Sequence, residues 1–233
     1  RAGRRPLISA AQASKVSIPD TDHAENVDAA RNHMFAIRKP HFFNNTWFSD
    51  SMILGRYPAD GLALFESDLT AIQADDLATI QQPLDFFGAN IYSGRYIHTT
   101  PDGDTEEVAG RQLPVTAMGW PITPEALYWA PRFFHERYGL PIVITENGMA
   151  NTDWPHLDGH VHDQQRVDFP QEVADHADLV RDLGPAQDSH ERCSGRFQGA
   201  AQVVAHAKLL RVQPDGRLQV GQGLGGTFGH DEH

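Results

Sequence analysis

Ile142-Val143-Ile144-Thr145 follows Pro141 and runs into Glu146-Asn147-Gly148. Contiguous apolar, β-branched residues with no polar alternation predict a strand buried on both faces, as in a parallel sheet. Leu84 to Tyr92 predicts a second barrel-type strand, and Lys15 to Ile18, ended by Pro19-Asp20, a shorter one. Residues 1 to 13 carry no clear period. Between these runs the pattern is helical. Asp22 to Arg38, rich in alanine and charge, predicts a helix. Asp75 to Gln82 predicts a short helix with acidic residues in its first turn, stopped by Pro83. Thr123-Pro124-Glu125 opens a third, with Thr123 as cap. Along it Leu127, Ala130, Phe134 and Tyr138 share a face, and Gly139 ends it. Pro131, inside this helix, is expected to remove a hydrogen bond to Leu127 and bend the axis. Ile97 to Leu113, polar with Pro101, Gly103 and Gly110, predicts a long surface loop. Trp47, Phe48, Met52, Ile53 and Leu54, with Phe42 and Phe43 nearby, predict core packing. Strand, helix, strand in this order predicts parallel βα architecture.

Charge narrows the partners. The 233 residues hold 19 Lys and Arg against 31 Asp and Glu, a net charge of −12. That argues against nucleic acid and anionic membranes and suits a neutral substrate. With 40% hydrophobic residues the chain is able to bury a core. The single cysteine, Cys193, excludes an internal disulfide framework. No apolar stretch approaches the roughly 18 residues of a membrane span. The basic opening Arg1-Ala2-Gly3-Arg4-Arg5 is followed by Pro6 to Ala11, too short for the h-region of a signal peptide. A cytoplasmic setting is the expectation, as is a fragment, since the chain opens on Arg1.

The chemistry centres on Glu146. Catalytic groups of a βα-barrel stand at the C-terminal ends of strands, and Glu146 closes one. On spacing alone it reads equally as a carboxylate ending a strand before an Asn147-Gly148 turn. Ile144-Thr145-Glu146-Asn147-Gly148 resembles the nucleophile motif of the family 1 glycoside hydrolases, the β-glucosidase family. Three further segments agree in order: Trp47-Phe48-Ser49-Asp50 with Gly55-Arg56-Tyr57-Pro58, Asp85 to Tyr92, and Met118-Gly119-Trp120 with Pro124. The resemblance covers residues 14 to 169 and leaves 170 to 233 as an atypical tail.

The resemblance implies a partial (β/α)8 TIM barrel in the α/β class, with strands five to seven present, Lys15-Val16-Ser17-Ile18 standing in strand five. It implies retaining hydrolysis of β-glycosides with Glu146 as nucleophile. Tyr92, beside Asn90, takes the place of the tyrosine that hydrogen-bonds the nucleophile. Trp120 takes that of an aromatic platform for the leaving group, and Asn147 is assigned to substrate binding with it. The acid/base, which the family carries in a Thr-Phe-Asn-Glu-Pro type motif, is not found: no Asn-Glu-Pro occurs. Without it the isolated chain is expected to turn over negligibly. The alternative is a non-catalytic remnant, or half of a split barrel that needs a complementing N-terminal half or self-association.

Two features are set aside. Gly221-Gln222-Gly223-Leu224-Gly225-Gly226 satisfies G-x-G-x-x-G, but the dinucleotide reading needs a following helix and an acid about 20 residues on. No cofactor is expected. His160-x-His162 and His230-Asp231-Glu232-His233 each offer two histidines without a third ligand, so no metal is expected.

Overall fold

The computed structural model describes residues 6–73, 75–166 and 168, together with the strand backbone of 209–212 and 218–221. The tail beyond 170, apart from those two strands, and most of the Gly221–Gly226 motif lie outside the described residues. In chain order the elements are β1 (Ala11–Ala13), β2 (Val16–Pro19), α1 (Ala24–Phe35) and α2 (Trp47–Ser49), which runs into a π-helical turn at Asp50–Leu54. Then come α3 (Ala59–Phe65), a 3-10 turn at Glu66–Ala71, α4 (Asp76–Ile80), β3 (Phe87–Asn90), β4 (Gly94–Thr99) and β5 (Thr105–Glu107). The long helix α5 (Ala126–Tyr138) leads into β6 (Ile142–Glu146), and β7 (Leu209–Val212) and β8 (Leu218–Gly221) follow.

β1, β3 and β6 form a parallel sheet in that order. β2 pairs with β4 in parallel and β5 joins β4 antiparallel, while β7 and β8 form an antiparallel pair. The strand beside β3 is therefore Ala11–Ala13, and Val16–Pro19 belongs to the second sheet. This departs from the expectation that Lys15 to Ile18 fills that place. Ala-Gln-Ala has no β-branched residue, so the pattern signal fell on Val16 and Ile18 downstream. Pairing also extends ahead of residue 14: the Asp85 amide donates to the Ile8 carbonyl at 2.9 Å, and Ser9 Oγ donates to the Phe86 carbonyl at 2.6 Å.

The two limbs β1–β2 and β3–β4 run side by side with a slip. Gly88 lies opposite Ala11 and Gly94 opposite Val16, so the second limb has one residue more between those points. The surplus falls in Ile91-Tyr92-Ser93, where β3 has ended and β4 has not begun. An extra residue of this kind bends a strand and re-aims its side chains. At Gly88 the limbs approach so closely that a Cβ would stand 2.7 Å from the Ala10 carbonyl oxygen.

Two helices pack on the strands. α1 packs on β2 and β4, and α5 packs on β2 and β6. Ile18, Ala30, Phe87, Ala89, Ile97, Phe133, Phe134 and Ile142 are buried in the core between them. Burial of one such aromatic or branched side chain is worth about 2 kcal/mol before entropy. The predicted face of α5 is buried, and Trp129 and Phe133 widen it. α5 stays one helix through the buried Pro131, and Gly139 ends it in the left-handed conformation (φ 67°). Thr123 does not cap it. The Thr123 hydroxyl accepts the Gly94 N–H at 2.7 Å and so secures the start of β4. A second cluster gathers Ile37, Trp47 and Phe65, with Phe42 stacked on Phe65 at 4.6 Å; Phe42, Phe43 and Phe48 are nonetheless exposed.

The expected loop from Ile97 to Leu113 holds part of a hairpin. β4 turns at Pro101-Asp102-Gly103, where the Gly103 amide donates to the Thr100 carbonyl at 2.8 Å, and returns as β5. Thr105-Glu106-Glu107 is short and polar and gives no strand signal on its own. Among the described residues no helix is long and apolar enough to cross a membrane.

Candidate active site

Glu146 is the last residue of β6 and is exposed. Its carboxylate accepts a hydrogen bond from Tyr92 Oη. Tyr92 reaches it from the stretch between β3 and β4 that contains the extra residue. The hydrogen bond that Tyr92 donates to Glu146, and burial after it, push the phenol above its ordinary value, because ionising it would give up the donated proton and set an anion beside the carboxylate. Tyr92 is therefore a donor throughout the neutral range.

The end of β6 is fastened to the end of β3 by three successive residues. Thr145 Oγ1 donates to Asn90 Oδ1 at 2.6 Å. The Glu146 carbonyl accepts the Ile91 amide at 2.9 Å, and Asn147 Nδ2 donates to the Ile91 carbonyl at 2.8 Å. Asn90 thus lies beside Glu146 in the pairing register but binds Thr145 through its side chain. The Asn147 amide is engaged with backbone. Thr145 was not singled out from the sequence, although a Thr-Glu-Asn run closing an apolar strand is a polar cluster of the kind that marks a strand end.

Trp120 stands at this place too. Its ring lies 5.5 Å from that of Tyr92, tilted by 58°, and is 40% exposed. It rides on a tight turn: the Thr116 amide donates to the Trp120 carbonyl and the Gly119 amide to the Thr116 carbonyl, both at 2.8 Å, with Gly119 at φ 75°. The Ala117 amide donates to the Ala150 carbonyl at 2.9 Å, which ties this turn to the segment after β6. A second turn of the same construction follows, with His156, Gly159 and His160 in the places of Thr116, Gly119 and Trp120. There His162 Nε2 meets Asp158 Oδ2 at 2.6 Å. Among the described residues no group of three or more His, Cys, Asp or Glu is placed to hold a metal ion.

A cleft of about 760 Å³ opens elsewhere, lined in part by Arg31, Phe35, Asp50, Arg56, Tyr57 and Arg137. None of its lining residues belongs to the surroundings of Glu146. The exposed carboxylate, its phenol donor and an open indole face, all at one strand end, are better suited to chemistry on a polar substrate than this cleft, whose acids and arginines are largely paired with one another.

A parallel βα sheet with a carboxylate held at its C-terminal edge is the arrangement of part of a βα-barrel. The model of glycosyl hydrolase family 1 matches residues 4–185, and the chain belongs to that family. Beta-glucosidase A of Thermotoga maritima is 41% identical over 137 residues, covering 58% of this chain and 31% of that protein. The bifunctional beta-D-glucosidase/beta-D-fucosidase of Bifidobacterium breve is 30% identical over 184 residues, covering 70% and 40%. Among solved structures, the family 1 β-glucosidase from Thermotoga maritima in complex with isofagomine lactam superposes with a TM-score of 0.57 at 33% identity, covering 76% of this chain and 39% of that one. The chain thus spans well under half the length of these relatives. A partial α/β barrel agrees with that superposition.

Proposed function

We propose that this chain carries the nucleophile half of a retaining β-glycosidase site, with β1, β3 and β6 as strands five, six and seven of the barrel. The observation that carries the reading is the Tyr92–Glu146 hydrogen bond at the end of β6, beside the open face of Trp120. In the reaction one Glu146 oxygen attacks the anomeric carbon as the bond to the aglycone oxygen breaks, giving a glycosyl ester. The leaving oxygen takes a proton from an acid, and the resulting base then removes a proton from the water that cleaves the ester. Tyr92 stabilises the carboxylate before attack and releases it as the ester forms. Trp120 offers an indole face to the C–H groups of a pyranose or to an aglycone ring. Asn147 is assigned to the substrate through the part of its amide that the Ile91 carbonyl does not occupy. A β-glycoside or oligosaccharide is the substrate class, and a cytoplasmic setting is supported by the single cysteine.

The missing Asn-Glu-Pro motif makes the proton donor the absent part, so the chain alone is expected to give negligible turnover on natural substrates. A second reading, half of a split barrel that is active with a complementing partner or a non-catalytic remnant, is supported by β1, which has one strand neighbour among the described residues. Incubation with a 2-deoxy-2-fluoro β-glucoside bearing a good leaving group, followed by peptide mass spectrometry, separates these. The activated leaving group departs with little acid assistance, so the nucleophile is tested by itself. The expected result is a sugar adduct on Glu146; a folded chain that acquires none is a remnant.

A further inference from the structure

In a regular strand, Ile142, Ile144 and Glu146 share one face, and Val143 and Thr145 share the other. Ile142 is fully buried in the core, and Ile144 packs against the same core. Strict alternation would carry the Glu146 carboxylate to that apolar face. The pairing with β3 breaks the alternation. Ala89 lies opposite Ile144, yet the next residue, Asn90, lies opposite Glu146, leaving Thr145 as the surplus residue of a bulge. One surplus residue exchanges the faces of everything beyond it. Glu146 thereby leaves the face of Ala89, which is fully buried, and joins the face of Asn90, where Tyr92 Oη meets it.

A bulge needs something to hold it, since the surplus residue has no ladder partner. Here the Thr145 hydroxyl donates to Asn90 Oδ1 at 2.6 Å. Beyond it the Ile91 amide and carbonyl grip Glu146 and Asn147.

We propose that Thr145 is a positioning residue: its bulge, locked by its hydroxyl on Asn90, turns Glu146 from the core face to the face that Tyr92 and Trp120 share. This deepens the glycosidase reading, on which only its catalytic consequence rests; the geometry of the Tyr92–Glu146 pair can be tested without any turnover. Thr145→Val keeps the shape and β-branching and removes the donor, whereas Thr145→Ser keeps the donor.

With ζ-carbon-labelled tyrosine and Tyr92→Phe to assign the signal, NMR follows the Tyr92 titration in the full chain. The wild type and Thr145→Ser titrate above the ordinary tyrosine value near 10, and Thr145→Val falls back toward it. In parallel, fluorosugar trapping at Glu146 slows by about tenfold in Thr145→Val and stays near the wild-type rate in Thr145→Ser. A folded Thr145→Val chain whose Tyr92 titrates like the wild type overturns the proposal. Should that variant not fold, Asn90→Leu removes the acceptor instead, and an unchanged Tyr92 titration there overturns it equally. A wild-type chain that traps no sugar removes the glycosidase reading and leaves the titration to decide the positioning. Trapping that is equal in all three chains keeps the glycosidase reading and sinks this one.

Discussion

The Asp50 carboxylate lies inside the molecule with 2% of its side chain exposed. Arg137 meets it with two bonds, Nε at 2.9 Å and Nη2 at 2.5 Å, and Tyr138 Oη donates a third at 2.9 Å. A charge taken out of water is tolerated only when its lone pairs are used in this way. Asp50→Ala would strand the Arg137 guanidinium, which is itself half-buried, and leave the Tyr138 hydroxyl without its acceptor. The expected loss is about 3 kcal/mol of folding stability, read as a fall in the urea midpoint at unchanged slope. A loss within 0.5 kcal/mol, the ordinary range for a surface substitution of about that size, would show the pair to be solvated. From the sequence, Asp50 appears only within a family-like segment. Its partners lie 87 and 88 residues away, so no local pattern announces the contact.

At the scale of elements, the apolar stripe of α5 and the β-branched run of β6 were legible because each follows one period over several residues. The β4–β5 hairpin was not, because an edge strand such as Thr105–Glu107 gains its conformation from the neighbour it pairs with. The docking of α1 on β2 carries a titratable contact: His33 Nδ1 lies 2.8 Å from Ser17 Oγ. Burial lowers the His33 value below 6.5, Arg38 lowers it further, and Glu107 opposes them. A depressed value favours the neutral ring in the folded state. This contribution is whole above pH 6.5 and is lost as the pH falls through the folded-state value. The wild type is therefore expected to lose more thermal stability between pH 7.5 and pH 5.5 than His33→Gln, which has no proton to bind there. Parallel melting curves against pH would remove His33 as the cause.

For the molecule as a whole, the sheet β1-β3-β6 ends at β1, which has one strand neighbour among the described residues. Unpaired strand edges template association, and charges on the edge suppress it. Ala13 on β1 is exposed, so its side chain can be enlarged without disturbing the core. The chain is expected to self-associate with rising concentration in sedimentation velocity, and Ala13→Lys to shift it toward monomer. A wild-type chain that sediments as a monomer at every concentration, alike with Ala13→Lys, would mean that this edge is not sticky. The net charge of −12 opposes association in general, so low salt should favour the monomer and added salt the associated form.

The sequence by itself determined the family, the strand that ends on Glu146, the helix before it, and the pairing of Glu146 with Tyr92 and Trp120 as candidate residues. These rest on local periods and short motifs, which a linear chain carries in full. Tertiary structure decided which face Glu146 presents. Alternation from Ile142 and Ile144 points it at the core, and only the register of β6 against β3, with Thr145 as the surplus residue, turns it over. Register is a relation between segments more than fifty residues apart, set by packing on both strands at once, and no stretch of the sequence contains it alone.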